Sequence, residues 1–291
     1  SSEIENLKRR LTQETIFRNK SENIIFIESP RPSQTILNSL FQKKPMEVSS
    51  NSKKNTNDSF IVHACVRGSL SSSKFLKVLR SDAFQFKNSE NKPNNPNLGD
   101  SKFLDSQVEQ TSSDHDSIRQ TFRLALLETA NGKQFFYAPV GIDEINSWEN
   151  RKSLVENSID FFEKGGIYPI ISLLSGGRAG DKSRDPKIDQ NITEVERLTE
   201  TLTKQYPKVK ITHHYILIEK AVETNSNIIV APEGISGNLI YRTLVHLGRG
   251  KAYGAVYLEL FNQKKKVVID TSRAAEQSEY EGALKLALYL S

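Results

Sequence analysis

Four stretches of the chain place arginine beside serine or glycine directly after an apolar run. They are Val66-Arg67-Gly68-Ser69, Ser175-Gly176-Gly177-Arg178, the segment from Pro232-Glu233-Gly234 through Ser236-Gly237-Asn238 to Arg242, and Asp270-Thr271-Ser272-Arg273. A guanidinium grips an oxyanion with two parallel hydrogen bonds, and a serine hydroxyl donates another. Glycine lets backbone N–H groups approach a ligand, and the amino end of a helix favours negative charge. Each loop taken alone can be a solvated loop, a helix cap or a surface ion pair. Four together point to a small anionic ligand, phosphorylated or carboxylated. The candidate binding residues are Arg67, Ser175, Gly176, Gly177, Arg178, Ser236, Gly237, Asn238 and Arg242, with Asp270, Ser272 and Arg273 in the last loop.

Other chemistries lack their residues. No phosphate-loop spacing occurs, and Gly248, Gly250 and Gly254 lie after a helical pattern and before a strand, the wrong context for a dinucleotide or S-adenosylmethionine turn. His213 and His214 are adjacent rather than one helical turn apart, so they do not form a metal pair. Cys65, the single cysteine, allows no internal disulfide and reads as a small core residue. Neither a metal nor a dinucleotide cofactor is expected.

The elements that must carry these loops follow from patterning. The chain has 291 residues, 36% hydrophobic and 26% charged, with a net charge of +5. That is enough for one large domain or two modest ones and excludes a wholly unstructured chain. No apolar run approaches a membrane span and the first residues show no leader pattern, so no membrane association and a cytoplasmic location are expected. Residues 1–80 hold 14 Lys/Arg against 7 Asp/Glu, but no basic run is interleaved with aromatics, so nucleic acid is not the expected partner. The periodicity predicts an amino-terminal helical extension over 1–22 and an α/β domain over 23–291 with polar insertions at 43–59 and 84–113. Within that domain it predicts strands at 23–27, 60–66, 134–140, 168–174, 209–211, 227–231, 252–258 and 266–269. Helices are predicted at 70–80, from Asp114 through Leu126 to a stop at Asn131-Gly132, at 151–164, 191–205, 214–224 and 236–247, and at 278–290 behind a Ser278–Glu281 capping box. Such alternation is the pattern of a doubly wound, largely parallel sheet, whose ligands bind beyond the carboxyl ends of the strands.

At these same loops the sequence resembles the methanogenesis-marker MtxX family of methanogenic and related archaea. The resemblance lies in Val66-Arg67-Gly68, Ala138-Pro139-Val140-Gly141-Ile142-Asp143-Glu144, Leu174 to Arg178, Ala231 to Leu244 and Val268 to Ala274, with Glu233 where an Asp is usual. That family is similar to phosphate acetyl/butyryltransferases, which implies the isocitrate/isopropylmalate-dehydrogenase-like fold. The resemblance implies that Ser272 and Arg273 neutralise a transferring group. It further implies that Asn238 and the adjoining helix end hold its oxygens, and that Asp270 or Glu279 is the base. Coenzyme A is a candidate cofactor, although Ser175-Gly176-Gly177-Arg178 replaces the coenzyme A loop of the acyltransferases. A methyltransferase or corrinoid protein is a candidate partner and a homodimer a candidate assembly. A non-catalytic accessory subunit that keeps an anion pocket is the alternative reading.

Overall fold

The computed structural model describes residues 36, 46–47, 59–60, 62–68, 72–80, 121–272 and 275–291. The expected helical extension, the strand at 23–27, the polar stretch 84–113, Ser69 and Arg273 lie outside the described residues. Two short strands, β1 (Met46–Glu47) and β2 (Ser59–Phe60), pair antiparallel across the 43–59 stretch.

The main sheet contains β3 (Ala64–Val66), β4 (Arg123–Glu128), β5 (Gln134–Ala138), β6 (Ile170–Leu174), β7 (Lys210–Tyr215), β8 (Ile228–Val230), β9 (Lys251–Tyr257) and β10 (Val267–Asp270). Their spatial order is β3-β10-β9-β4-β5-β8-β6-β7. The helices are α1 (Ser72–Arg80), α2 (Trp148–Glu163), α3 (Pro186–Gln205), α4 (Ile218–Glu223), α5 (Gly234–Arg242), which continues into a π-helical turn over Thr243–Leu247, α6 (Leu258–Lys264) and α7 (Gln277–Leu290). On one face α2, α3 and α7 pack Leu154, Val195 and Leu286 against strand residues such as Leu124, Ile171 and Val256. On the other, α4 and α5 cover Ala125, Tyr137, Ile229 and Ala255, and α1 covers Tyr257 and Val268. This is a doubly wound α/β fold.

The sheet is mixed. The β3–β10, β5–β8, β8–β6 and β6–β7 pairings are parallel, whereas β10–β9, β9–β4 and β4–β5 are antiparallel. The source of the reversal is β4, which the spacing of Ile118, Phe122, Ala125 and Leu126 predicts as a helix. Arg123–Glu128 is instead a strand buried on both faces, so its apolar residues do not alternate, and the run of consecutive apolar side chains also satisfies helical spacing. Asn131-Gly132, expected to end a helix, turns a hairpin: Gly132 has φ +78° and donates to the Thr129 carbonyl at 2.9 Å.

Smaller differences have local causes. The predicted 60–66 strand divides between β2 and β3, and the helix expected at 214–224 begins only at Ile218, because β7 runs on to Tyr215. No Ser278 capping box forms, since α7 starts at Gln277 and leaves Ser278 inside its first turn. The remaining helices start as their sequences require: Ser147 accepts the Asn150 amide at 3.1 Å to open α2, and Asp185 accepts the Lys187 amide at 2.8 Å to open α3 behind Pro186. Among the described residues no helix is long and apolar enough to cross a membrane.

Candidate functional site

Because β3, β4 and β10 run against β5, β6, β7 and β8, the four anion-type loops leave their strands in two opposite directions, although Asp270 at the end of β10 lies level, across Ala255 and Ala125, with Tyr137 near the end of β5. The loops after β3 and β10 share one direction, and those after β6 and β8 share the other. Arg123 links them. At the amino end of β4 its Nη1 donates to Asp270 Oδ2 at 2.6 Å, and its Nε donates to Glu144, in the loop after β5. Asp270 also accepts from Arg67 Nε, and Arg67 Nη2 donates to the Thr271 carbonyl, whose own hydroxyl donates to the Arg67 carbonyl at 2.5 Å. Arg67 is 1% exposed, Glu144 1% and Asp270 5%, so this is a buried chain of charges rather than a surface pair. Burial alone would draw Arg123 down, yet Glu144, Tyr257 and Asp270 hold its pKa above the ordinary arginine value. Arg67 is therefore committed to Asp270 and the backbone of the β10 loop.

Ser272 and Glu279 adjoin this chain. The Ser272 amide donates to Glu279 Oε1 at 2.7 Å across the start of α7. Burial raises the Glu279 pKa, Asp270 raises it further, and the Ser272 amide and Arg67 oppose the rise. Asn238, in the first half of α5, donates from Nδ2 to the Val140 carbonyl at 2.8 Å. Its helix lies close to that loop because Gly234 and Gly237 turn bare backbone toward it. A Cβ on Gly234 would stand 2.5 Å from the Gly141 and Ile142 carbonyls, and one on Gly237 would strike the Pro139 carbonyl. Glu233 caps this helix, accepting the Ile235 and Ser236 amides at 2.7 Å each.

The β6 loop is held separately. Ser175 is fully buried, its hydroxyl donates to the Gly177 carbonyl at 3.2 Å, and His213 Nε2 lies 2.9 Å from its Oγ. The Gly176 amide donates to Asn191 Oδ1 at 2.7 Å, and the Arg178 amide to Asp181 Oδ2 at 2.8 Å, while Arg178 itself is exposed. Arg242, at the far end of α5, is exposed. Ser272, Asp270 and Arg67 thus meet directly and reach the Asn238 region through Arg123 and Glu144, whereas Ser175–Arg178 forms its own group beside β7.

Arg123, Glu128, Glu144 and Arg151 are buried charged residues that were not expected from the sequence. A signal for Arg151 exists, because Trp148, Arg151, Leu154 and Val155 recur at helical spacing and put the arginine on the buried stripe of α2. Among the described residues no cluster of three or more His, Cys, Asp or Glu side chains could hold a metal ion.

No family model matches the chain. It is 40% identical over 174 residues to a Methanosarcina mazei protein named "Putative methyltransferase mtx subunit X", covering 60% of this chain and 59% of that one. The chain is a relative of the Mtx subunit X proteins. An uncharacterized methyltransferase of Methanocaldococcus jannaschii is 36% identical over 159 residues, 53% of this chain and 63% of that protein, so the chain matches about three fifths of the length of these relatives. Among solved structures, a branched-chain phosphotransacylase from Enterococcus faecalis aligns with a TM-score of 0.53 at 18% identity, over 78% of this chain and 73% of that one. That likeness shows a shared fold.

Proposed function

We propose that the chain is a transferase acting on a small phosphorylated or carboxylated molecule, with the reacting group beside Ser272 and Glu279. The observation that carries this reading is the contrast between the two acidic candidates for the base. Asp270 is clamped between two guanidiniums, its Oδ1 accepting from Arg67 Nε and its Oδ2 from Arg123 Nη1, so both of its oxygens are engaged. Glu279 is 6% exposed and has its pKa raised by burial. The only hydrogen bond to its carboxylate among the described residues is the one from the Ser272 amide, so its second oxygen is open to a proton. In this reading Glu279 takes the proton of the attacking group, and Ser272, Arg273 and Asn238 stabilise the transferring oxygens. Arg67, Arg123 and Asp270 hold the loop. Coenzyme A is the candidate carrier, and a homodimer is the assembly to look for by sedimentation.

The names of the relatives support a second reading, an accessory subunit of a methyl-transfer complex with a corrinoid protein as candidate partner. Ile142, Ile235 and Leu239, 68, 61 and 60% exposed, cluster where α5 meets the 139–142 loop and would suit such a partner. A thermal-shift screen with coenzyme A, acetyl phosphate, S-adenosylmethionine and a methylcobamide, followed by turnover assays, separates the two. The transferase reading expects a shift with coenzyme A or acyl phosphate, and a Glu279→Gln variant that keeps the shift but loses about 10²- to 10⁴-fold in rate. Rate should rise with pH through the raised Glu279 pKa, since the base acts only when ionised. A stable partner with no turnover would select the accessory reading.

A further inference from the structure

Arg151 is a buried cation with nothing to neutralise it at contact distance. It lies in the first turn of α2 and is 5% exposed. Its Nε is buried without a hydrogen-bond partner, and among the described residues it forms no ion pair within 4 Å. Its helix follows the β5 loop directly, and the carboxyl ends of β5, β8 and β6 are level, Ala138 beside Val230 and Val230 beside Leu173, so the buried first turn of α2 lies at the carboxyl edge of the parallel strands. The Arg151 charge is felt there at Glu233, the cap of α5, at Glu194 of α3 and at His213 of β7. The two carboxylates nearest to it are engaged elsewhere: Glu233 holds the Ile235 and Ser236 amides at 2.7 Å, and Glu194 accepts from Gln190 at 2.8 Å. Burial accordingly draws the Arg151 pKa below the arginine value, with Glu194 and Glu233 only partly opposing it. A further buried polar atom along this edge, His213 Nδ1, also lacks a partner.

A buried polar group left unsatisfied is rare and costly, and a buried charge without a counter-charge more so. A phosphoryl group supplies what is missing: a negative charge, acceptor oxygens for the guanidinium fork, and a hydroxyl when singly protonated that can donate to an imidazole nitrogen. We propose that Arg151 is the anchor of a phosphoryl-binding subsite at the carboxyl edge of β5, β8, β6 and β7, bordered by His213 and the Ser175–Gly177 loop. The subsite deepens the transferase reading by holding the non-reacting end of the substrate, but its occupancy does not depend on turnover.

Calorimetric titration of the full chain with inorganic phosphate tests the subsite. Saturable binding is expected, weakened about 10- to 100-fold in Arg151→Met and only partly in Arg151→Lys. In phosphate-free buffer Arg151→Met should melt no lower than the parent chain, because it removes an uncompensated charge, while its phosphate-dependent rise in Tm disappears. Phosphate should also raise the His213 pKa, followed by imidazole NMR, from about 4, where burial chiefly holds it, with His214, Lys182 and Arg151 adding to the fall and Glu196 opposing it. Methyl phosphate and acetate serve as parallel arms. Binding of methyl phosphate identifies a phosphate monoester, binding of inorganic phosphate alone identifies the free ion, and equal binding of acetate overturns the phosphoryl assignment. Glu279→Gln should bind phosphate unchanged, so loss of turnover with intact binding would fault only the transferase reading. No heat at about 10 mM phosphate, binding unaffected by Arg151→Met, or a Tm drop in phosphate-free Arg151→Met would each refute the subsite.

Discussion

Two groups of buried charge lie on opposite sides of the sheet reversal. In the Arg67–Asp270–Arg123–Glu144 chain every charge has an opposite partner, and the loops after β3 and β10 are tied together by it. At the carboxyl edge of the parallel strands Arg151 has neighbours of opposite sign but no contact with them. The first arrangement is complete as it stands and positions backbone. The second is complete only with an added anion. Cationic residues near a sheet edge therefore carry different meanings according to whether the fold has already neutralised them.

The sharpest way to break this contrast is Asp270→Ala, which leaves two buried guanidiniums without their shared partner. It should cost about 3–5 kcal/mol in urea unfolding, whereas Arg151→Met should cost nothing in phosphate-free buffer. Equal losses in the two variants would erase the distinction. Gly237→Ala comes next. Its Cβ would strike the Pro139 carbonyl and push α5 from the loop that links the two groups, costing about 1–3 kcal/mol by the same measurement.

A smaller effect is expected at the other end of β4. There Lys251, Tyr253 and Gln134 donate to Glu128 and lower its pKa from 4.5 to about 2. A depressed carboxylate pKa contributes stability that is present above pH 4.5 and is lost as pH falls toward 2. Glu128→Gln should flatten that part of the urea midpoint against pH. The least effect belongs to the exposed Glu200–Lys204 pair, 2.6 Å apart on α3, where Lys204→Ala should leave the midpoint unchanged.

Much of this fold was legible from sequence, because β5, β6, β8 and β10 are apolar runs bounded by turn residues and α3 opens with Asp185-Pro186. The reversal was not. Phe122-Arg123-Leu124-Ala125-Leu126-Leu127 fits helical spacing as well as a strand buried on both faces, and choosing the helix hid the antiparallel pairing at Asn131-Gly132. Because strand direction decides how loops approach one another, that one choice hid that the loop after β10 and the loops after β5 and β8 arrive from opposite directions, joined by Arg123 and Glu144. Asp270 and Ser272 were singled out by their motif and Glu279 as an acidic residue near it in sequence. Arg123, Glu144 and Arg151 were not read as site residues, since burial of a charge depends on what packs over it and not on its neighbours in the chain.

The hairpin of β4 and β5 has a bearing on how the chain folds. β4 pairs on one side with β5, a few residues away, and on the other with β9, where Arg123 meets Tyr257 and Glu128 meets Lys251. Closing that second ladder must wait for the whole intervening chain, so the hairpin can form early while the sheet remains in two unjoined parts. Pairing of β9 with β4 is what unites them, and it carries β10, with Asp270, to within reach of Arg123.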